Sequence, residues 1–285
     1  MKIVRKPEWL KIRLPKGEKY SEVKQLVEDN KLHTICSSGK CPNISECWSK
    51  GTATLMILGD ICTRACKFCA TKTGKPLPPD LNEPLKIART VNILKLKHVV
   101  ITSVDRDDLP DFGAQHWAET IIEVKKMNPE TIVEILIPDF QGNEESMDLI
   151  TQAKPDIIAH NLETVRSLTP KVRSKADYYK SLKVLNTFSD EGFVTKSGIM
   201  LGLGETIQEV EQTMLDLISV GCQIITLGQY LQPTPSHLEV VEYVHPDTFA
   251  LLKEKAYEIG FKQVESGPLV RSSYMAEQSF NNKKH

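Results

Sequence analysis

At 285 residues, 40% of them hydrophobic and 26% charged, the chain has the composition of one large globular core, which excludes disorder as its dominant state. A net charge of −1 lacks the basic excess that a nucleic-acid enzyme of this length would carry, so RNA and DNA are disfavoured as substrates. No apolar run approaches membrane-spanning length and no cleavable apolar leader is visible, so a reducing, cytoplasmic compartment is expected, where seven cysteines read as ligands rather than disulfides.

Residues 1–51 form an irregular, locally basic arm, with Lys2, Arg5, Lys6, Lys11, Arg13, Lys16 and Lys19 among Pro7, Pro15 and Gly17. Only Ser21 to Asn30 has helical spacing, with Val23, Leu26 and Val27 on one side. The arm's lysines suit either a solvated tail or a docking surface for an acidic protein. It also carries Cys36, Cys41 and Cys47, spaced around a turn marked by Gly39 and Pro42.

From Thr52 a strand-then-helix rhythm begins. Thr54 to Leu58 is a short apolar run that fits a buried parallel strand, and Cys62, Cys66 and Cys69 follow in the loop after it. A helix starts at Asn82-Glu83-Pro84, with Leu85, Ala88, Val91 and Leu94 at helical spacing. Val99 to Thr102 is the second strand, and Trp117, Ile121 and Val124 mark the helix after it, which stops before Pro129. Ile132 to Ile137 is the third, with Asn143 capping a helix that contains Met147 and Ile150. Ile157 to Ala159 is the fourth, followed by the stripe Tyr178, Leu182 and Leu185. Val194 to Met200 is the fifth; Thr206 with Glu209 makes a capping box for a helix bearing Val210, Met214 and Leu217. Ile224 to Leu227 is the sixth, and its helix begins after Pro246, buries Phe249, Leu252 and Ala256 and ends at Gly260. Six such units predict a partial (β/α)6 TIM-like barrel over residues 52–260, short of the eight that close a ring and so laterally open, with a C-terminal extension over 261–285. A doubly wound open sheet shares this rhythm.

The cysteines carry the chemistry. Three thiolates at the spacing of Cys62, Cys66 and Cys69 can hold three corners of a cubane iron-sulfur cluster, leaving one iron without a protein ligand because no fourth cysteine follows at short range. A structural zinc site would want four ligands in two paired knuckles, which this spacing does not supply. The wider arm triplet implies a second cluster. Cys222 is left over and reads as a small buried hydrophobe in a strand. In parallel α/β sheets the site lies at the C-terminal strand ends, and Thr102-Ser103, Asn161 with Glu163, Gly202 to Glu205 and Gln229 to Pro233 fall there.

The spacing of Cys62, Cys66 and Cys69, with Phe68 before the last, resembles the signature of the radical S-adenosylmethionine enzymes. Together with the arm triplet and Arg271-Ser272-Ser273-Tyr274 near the C-terminus, it is similar to the lipoyl synthase family. That resemblance runs from about residue 30 to 276. It departs from the family pattern at Arg64-Ala65, where members carry a basic pair, and at Phe112-Gly113, where they carry two glycines.

The resemblance implies two 4Fe-4S clusters and S-adenosylmethionine, with Cys62, Cys66 and Cys69 on the radical-forming cluster and Cys36, Cys41, Cys47 and a serine of the Arg-Ser-Ser-Tyr segment, Ser273 by motif alignment with Ser272 as the alternative, on an auxiliary cluster consumed as the sulfur source. Thr102, Ser103, Asn161, Glu163, Gly202, Gly204 and Glu205 are the implied contacts to S-adenosylmethionine. The implied reaction inserts two sulfurs at C6 and C8 of an octanoyl chain on a carrier-protein lysine. The implied partners are the octanoylated lipoyl domain of a 2-oxoacid dehydrogenase E2 subunit or the glycine cleavage H protein, a ferredoxin- or flavodoxin-type electron donor and an iron-sulfur cluster donor. Two other classes compete. A methylthiotransferase acting on tRNA or a ribosomal protein would usually bring an appended basic domain, and an electron carrier would close each cluster with four cysteines.

Overall fold

The computed structural model describes residues 6–11, 18–50, 52–173 and 175–273. Several arm lysines and arginines of the sequence reading (Lys2, Arg5, Arg13 and Lys16), and Tyr274 with the tail that follows it, lie outside the described residues.

The βα rhythm folds as read. In chain order the units are β1 (Thr54–Ile57) and α2 (Glu83–Ile93), after the arm helix α1 (Glu18–Asp29), then β2 (His98–Ser103) and α3 (Ala114–Met127), and β3 (Ile132–Leu136) and α4 (Glu144–Ala153). β4 (Ile157–Ala159) and α5 (Tyr178–Asp190), β5 (Val194–Leu201) and α6 (Ile207–Ser219), and β6 (Ile224–Gln229) and α7 (Pro246–Ile259) complete the six. Each strand pairs in parallel with the next, for example Ile57 with Ser103 and Thr102 with Leu136. The strands are mostly apolar because helices cover one face and the barrel interior the other; β5 is the exception, with Thr195, Lys196 and Ser197 buried and Lys196 paired with Glu134 of β3 at 2.6 Å.

Local signals hold the helices where the sequence puts them. Thr206 and Glu209 form the reciprocal capping box on α6, Asn143 accepts from the Ser146 amide on α4, and Gly260 ends α7 at φ 119°. Asn82 differs: its side chain caps nothing, and Asp80 instead accepts from the Asn82 amide at 2.9 Å. Cys222 is buried in the turn entering β6 rather than in a strand, its thiol donating towards the Ile224 carbonyl at 3.4 Å.

Two additions extend the sheet beyond the six units. Gln263–Gly267 forms a seventh parallel strand, β7, on β6, and His33–Thr34 pairs antiparallel with β1 at the other edge. Among the described residues the two edges do not pair with each other, so the barrel stays open. The arm is no loose tail where it is described. Val23, Val27, Leu32 and Trp48 are buried in the same apolar cluster as β1 to β3, each contributing roughly 1.5–3 kcal/mol of burial. That packing delivers Cys36, Cys41 and Cys47 to the barrel.

Candidate active site

One cavity of about 500 Å³ is lined by residues of β1, β2, β3, β5 and β6, by His160 and Asn161 just past β4, by the Cys62 to Cys69 loop and by the segment after β7, which requires the sheet to curve around it. Cys36, Cys41, Cys62, Cys66, Cys69 and Ser273 all face it. Thr54 opens β1 on the arm side and Cys62 follows the strand's far end, so the two thiol groups approach the cavity from opposite ends of β1.

The Cys62 to Cys69 loop is fixed at many points. Ile61–Cys62 pairs with Lys72–Thr73, and the Gly74 amide donates to the Cys62 carbonyl at 3.0 Å. Lys67 donates to the Val172 carbonyl at 3.0 Å, and His237 Nε2 meets the Cys69 carbonyl at 2.9 Å. Arg64, only 4% exposed, ties the loop to the barrel: Nε and Nη2 grip Asp107 at 2.9 and 2.7 Å, and Nη2 also reaches Asp139 at 2.7 Å. In the sequence Arg64 is only a departure from the family's basic pair; its role is not visible there, since its acidic partners lie more than 40 positions away.

The backbone amides of Arg64 and Asp105 donate to Cys62 Sγ at 3.4 and 3.3 Å, an arrangement suited to a thiolate. Without a metal, burial pushes the Cys62 and Cys66 thiols up to about 12 and raises Cys69 as well. Thiols so raised are not free nucleophiles at neutral pH, and buried thiols of this kind suit metal coordination. Among the described residues no three Cys, His, Asp or Glu side chains converge on a point that one ion would occupy. Thiols held apart around a shared cavity match a polynuclear cluster.

The arm triplet is built differently. Burial raises Cys36, opposed by neighbouring Thr54 and Trp48. Cys47 packs behind the cavity, its thiol pushed up to about 12 by burial and then by Cys36 and Cys41 beside it. Trp48 Nε1 is buried next to Cys36 with no acceptor at hydrogen-bond distance among the described residues, an orphan donor that a metal-bound thiolate would satisfy. Thr54 Oγ1 donates to Ser273 Oγ at 2.7 Å, so the serine hydroxyl stands one side chain from Cys36. Ser272 lines the same cavity but is engaged differently: its Oγ accepts from Asn161 Nδ2 at 2.6 Å.

Asn161 also donates to Glu163 Oε1 at 3.0 Å, while its own Oδ1 is buried without a partner among the described residues. Glu163 sits at φ 67°, locked by backbone pairing with β5 on both sides, a strained conformation of the kind kept at binding sites. Burial raises its carboxyl, and Arg173, on the same cavity wall, opposes that. A β-carbon at Gly198 would lie 2.6 Å from Thr226 Oγ1 and 2.9 Å from Asn161 Oδ1, so glycine is what lets the Asn161 amide sit against β5.

Thr102 and Ser103 reach the cavity, although Thr102 already donates to the Leu136 carbonyl and Ser103 accepts from Trp117 Nε1. The structure does not bring Gly202, Gly204 and Glu205 to the wall. β5 ends at Leu201, and the Glu205 carboxylate folds back to accept the amides of Gly202 and Leu203. Arg173 was missed because nothing local marks it. His160, which bonds Ile137 and Ser181 and is held near 4 chiefly by burial, is a neutral wall residue.

The model of the Radical SAM superfamily matches residues 56–217, and that of the N-terminal domain of lipoyl synthase of the Radical SAM family matches residues 2–41. A lipoyl synthase of Bacteroides fragilis is 60% identical over 284 residues, 99% of each chain. The chain belongs to the lipoyl synthase family. A second member, from Treponema denticola, is 59% identical, covering 96% of this chain and 94% of its own. Among solved structures, methylornithine synthase matches at TM-score 0.54 and 11% identity over 87% of this chain and 79% of its own, which shares the fold alone. The FeFe-hydrogenase maturase HydG from Carboxydothermus hydrogenoformans does so at 0.56 and 12%, over 93% and 78%. Like other lipoyl synthases, the chain is a sulfur-inserting transferase whose cofactors are S-adenosylmethionine and 4Fe-4S clusters, and the thiols and the orphan Trp48 donor fit them. No described helix is long and apolar enough to cross a membrane.

Proposed function

We propose that Cys62, Cys66 and Cys69 hold the cluster that binds S-adenosylmethionine, and that Cys36, Cys41, Cys47 and Ser273 hold the sulfur-donating cluster. A single observation carries this reading: Cys36 and Cys41 of the arm, all three loop cysteines and Ser273 line one cavity, with Cys47 packed beside Cys36 and Cys41 behind it. S-adenosylmethionine, reduced by one electron at its cluster, supplies hydrogen-atom abstraction from an unactivated methylene, and the auxiliary cluster supplies sulfide. The protein's part is positional. Asn161 and Glu163 present polar groups to the ribose or the methionine end, and Arg173 offers a guanidinium suited to a carboxylate. Phe68, Leu136, Ile199 and Met200 give the wall an octanoyl chain needs, and exclude the water that would quench a radical.

The substrate is then an octanoylated carrier protein, with the lipoyl domain of an E2 subunit or the H protein as presenting scaffold. A ferredoxin- or flavodoxin-type donor would supply electrons and an iron-sulfur donor would rebuild the spent cluster, all in the cytoplasm. Ser273 rather than Ser272 is assigned as the fourth auxiliary ligand because Thr54 ties it to Cys36 while Ser272 is engaged by Asn161. Ser273→Ala should spare 5′-deoxyadenosine formation and abolish the dithiolane product. Ser272→Ala should keep the product and weaken S-adenosylmethionine binding several-fold, for a loss of about 1 kcal/mol. Product formation by Ser273→Ala, with its loss in Ser272→Ala, would reverse the assignment.

A further inference from the structure

The segment after β7 crosses from the sheet to the arm with two anchors that the cluster chemistry does not itself require. The first is Gly228 on β6. A β-carbon there would lie 2.1 Å from the Val270 carbonyl oxygen and 3.1 Å from its carbon, so the segment's backbone rests directly on the strand. With alanine at this position the carbonyl would have to retreat by roughly 1 Å or more to regain an ordinary contact. The second anchor is Asn43, which lies between Cys41 and Cys47 and is only 5% exposed. Its Nδ2 donates to the Leu269 carbonyl at 2.6 Å, and it makes no side-chain cap on the short helix it precedes. The arm loop and the strand thus grip adjacent residues, Leu269 and Val270, three to four positions before Ser273.

We infer that Gly228 and Asn43 are positioning residues that fix the register of the segment Pro268 to Ser273, so that the Ser273 hydroxyl stands at the arm thiols. The inference rests on the reading of Ser273 as an auxiliary-cluster ligand. It separates two tasks: the serine supplies the oxygen, and the two anchors determine whether that oxygen arrives. Gly228 permits the close approach and Asn43 makes it specific, since an arm loop displaced from the barrel would lose the Leu269 carbonyl with it.

The test compares Gly228→Ala, Asn43→Asp and Ser273→Ala in the full chain after anaerobic reconstitution, following release of iron to a chelator and the Mössbauer signature of the oxygen-bound iron. Asn43→Asp keeps the shape but sets a carboxylate against the Leu269 carbonyl. All three variants should lose the oxygen-bound signal and release auxiliary iron about tenfold or more faster than the parent, with the cluster at Cys62, Cys66 and Cys69 retained. Adding Ser273→Ala to either anchor variant should accelerate release no further. If Ser273→Ala changes both readouts and the anchor variants match the parent, the anchoring role is overturned and the serine reading stands. If Ser273→Ala itself matches the parent, the serine reading fails and the anchoring role with it. Should Gly228→Ala not fold, Asn43→Asp decides alone, and parental release in that variant overturns the inference.

Discussion

Replacing Cys36, Cys41 and Cys47 together by alanine is expected to halve the iron of the anaerobically reconstituted protein, from about eight to about four atoms per chain. S-adenosylmethionine should still be cleaved, and no sulfurated product should form. The expectation follows from how independently the two thiol groups are supported. The Cys62 loop hangs on Arg64, the ends of β2 and β3, and backbone bonds to Val172 and His237, none of which involves the arm cysteines. The arm thiols depend on Trp48, Thr54 and the segment bearing Ser273. Alanine at Cys62, Cys66 and Cys69 should give the complement: about four irons retained and no cleavage of S-adenosylmethionine. Four irons in the well-folded parent, or loss of both clusters from either triple variant, would contradict this separation.

Arg64→Ala is expected to destabilise the protein by about 3–5 kcal/mol, lowering its thermal midpoint by roughly 10 °C, and to empty the radical-forming cluster site. Removing the guanidinium leaves Asp139, wholly buried, and Asp107 without their cation. Arg64→Lys should recover only part of the loss, because an ammonium cannot grip Asp107 through two nitrogens while reaching Asp139. Burial pushes the Asp139 carboxyl up, but the Arg64 hydrogen bond and charge outweigh it and hold the group at about 2, below its usual 3.8. A depressed folded value means stability that is present above the unfolded value and lost as pH falls towards the folded one. The parent should therefore lose stability between about pH 4 and pH 2, and Arg64→Ala should show a shallower loss there in chemical denaturation across that range. A steeper acid loss in the variant would place the ion pair outside the stability of the loop.

The barrel was legible because most of its buried parallel strands are short apolar runs, β5 with its buried Lys196 and Ser197 excepted, and because caps such as Thr206 with Glu209 are local chemistry. β7 was not, since Gln263-Val264-Glu265-Ser266-Gly267 holds one buried apolar residue among half-exposed ones and has no alternation to count. The arm looked like a tail because its core contacts, Trp48 and Val27 among them, are spent on a barrel that sequence spacing cannot place beside it. The cysteines could be read directly, as their short separation is their chemistry. Arg64 and Arg173 could not, since their meaning comes from carboxylates and walls distant in the chain. Gly202 to Glu205 rests on the resemblance alone: the Glu205 carboxylate accepts from the amides of Gly202 and Leu203, and Gly202, Gly204 and Glu205 do not line the cavity. At Phe112, where the family pattern has glycine, the backbone still adopts φ 56°, so the turn survives a side chain that disfavours it.

The most direct test labels the donor. The protein is reconstituted with ³⁴S sulfide, freed of excess sulfide, and given S-adenosylmethionine, a reductant and an octanoylated carrier peptide for one turnover, after which the peptide is weighed by mass spectrometry. A dithiolane with both sulfurs heavy, and the loss of one cluster's iron from the protein, is the expected result. Light sulfur in the product, or an unchanged auxiliary cluster alongside full conversion, would show that the sulfur comes from somewhere other than the arm site.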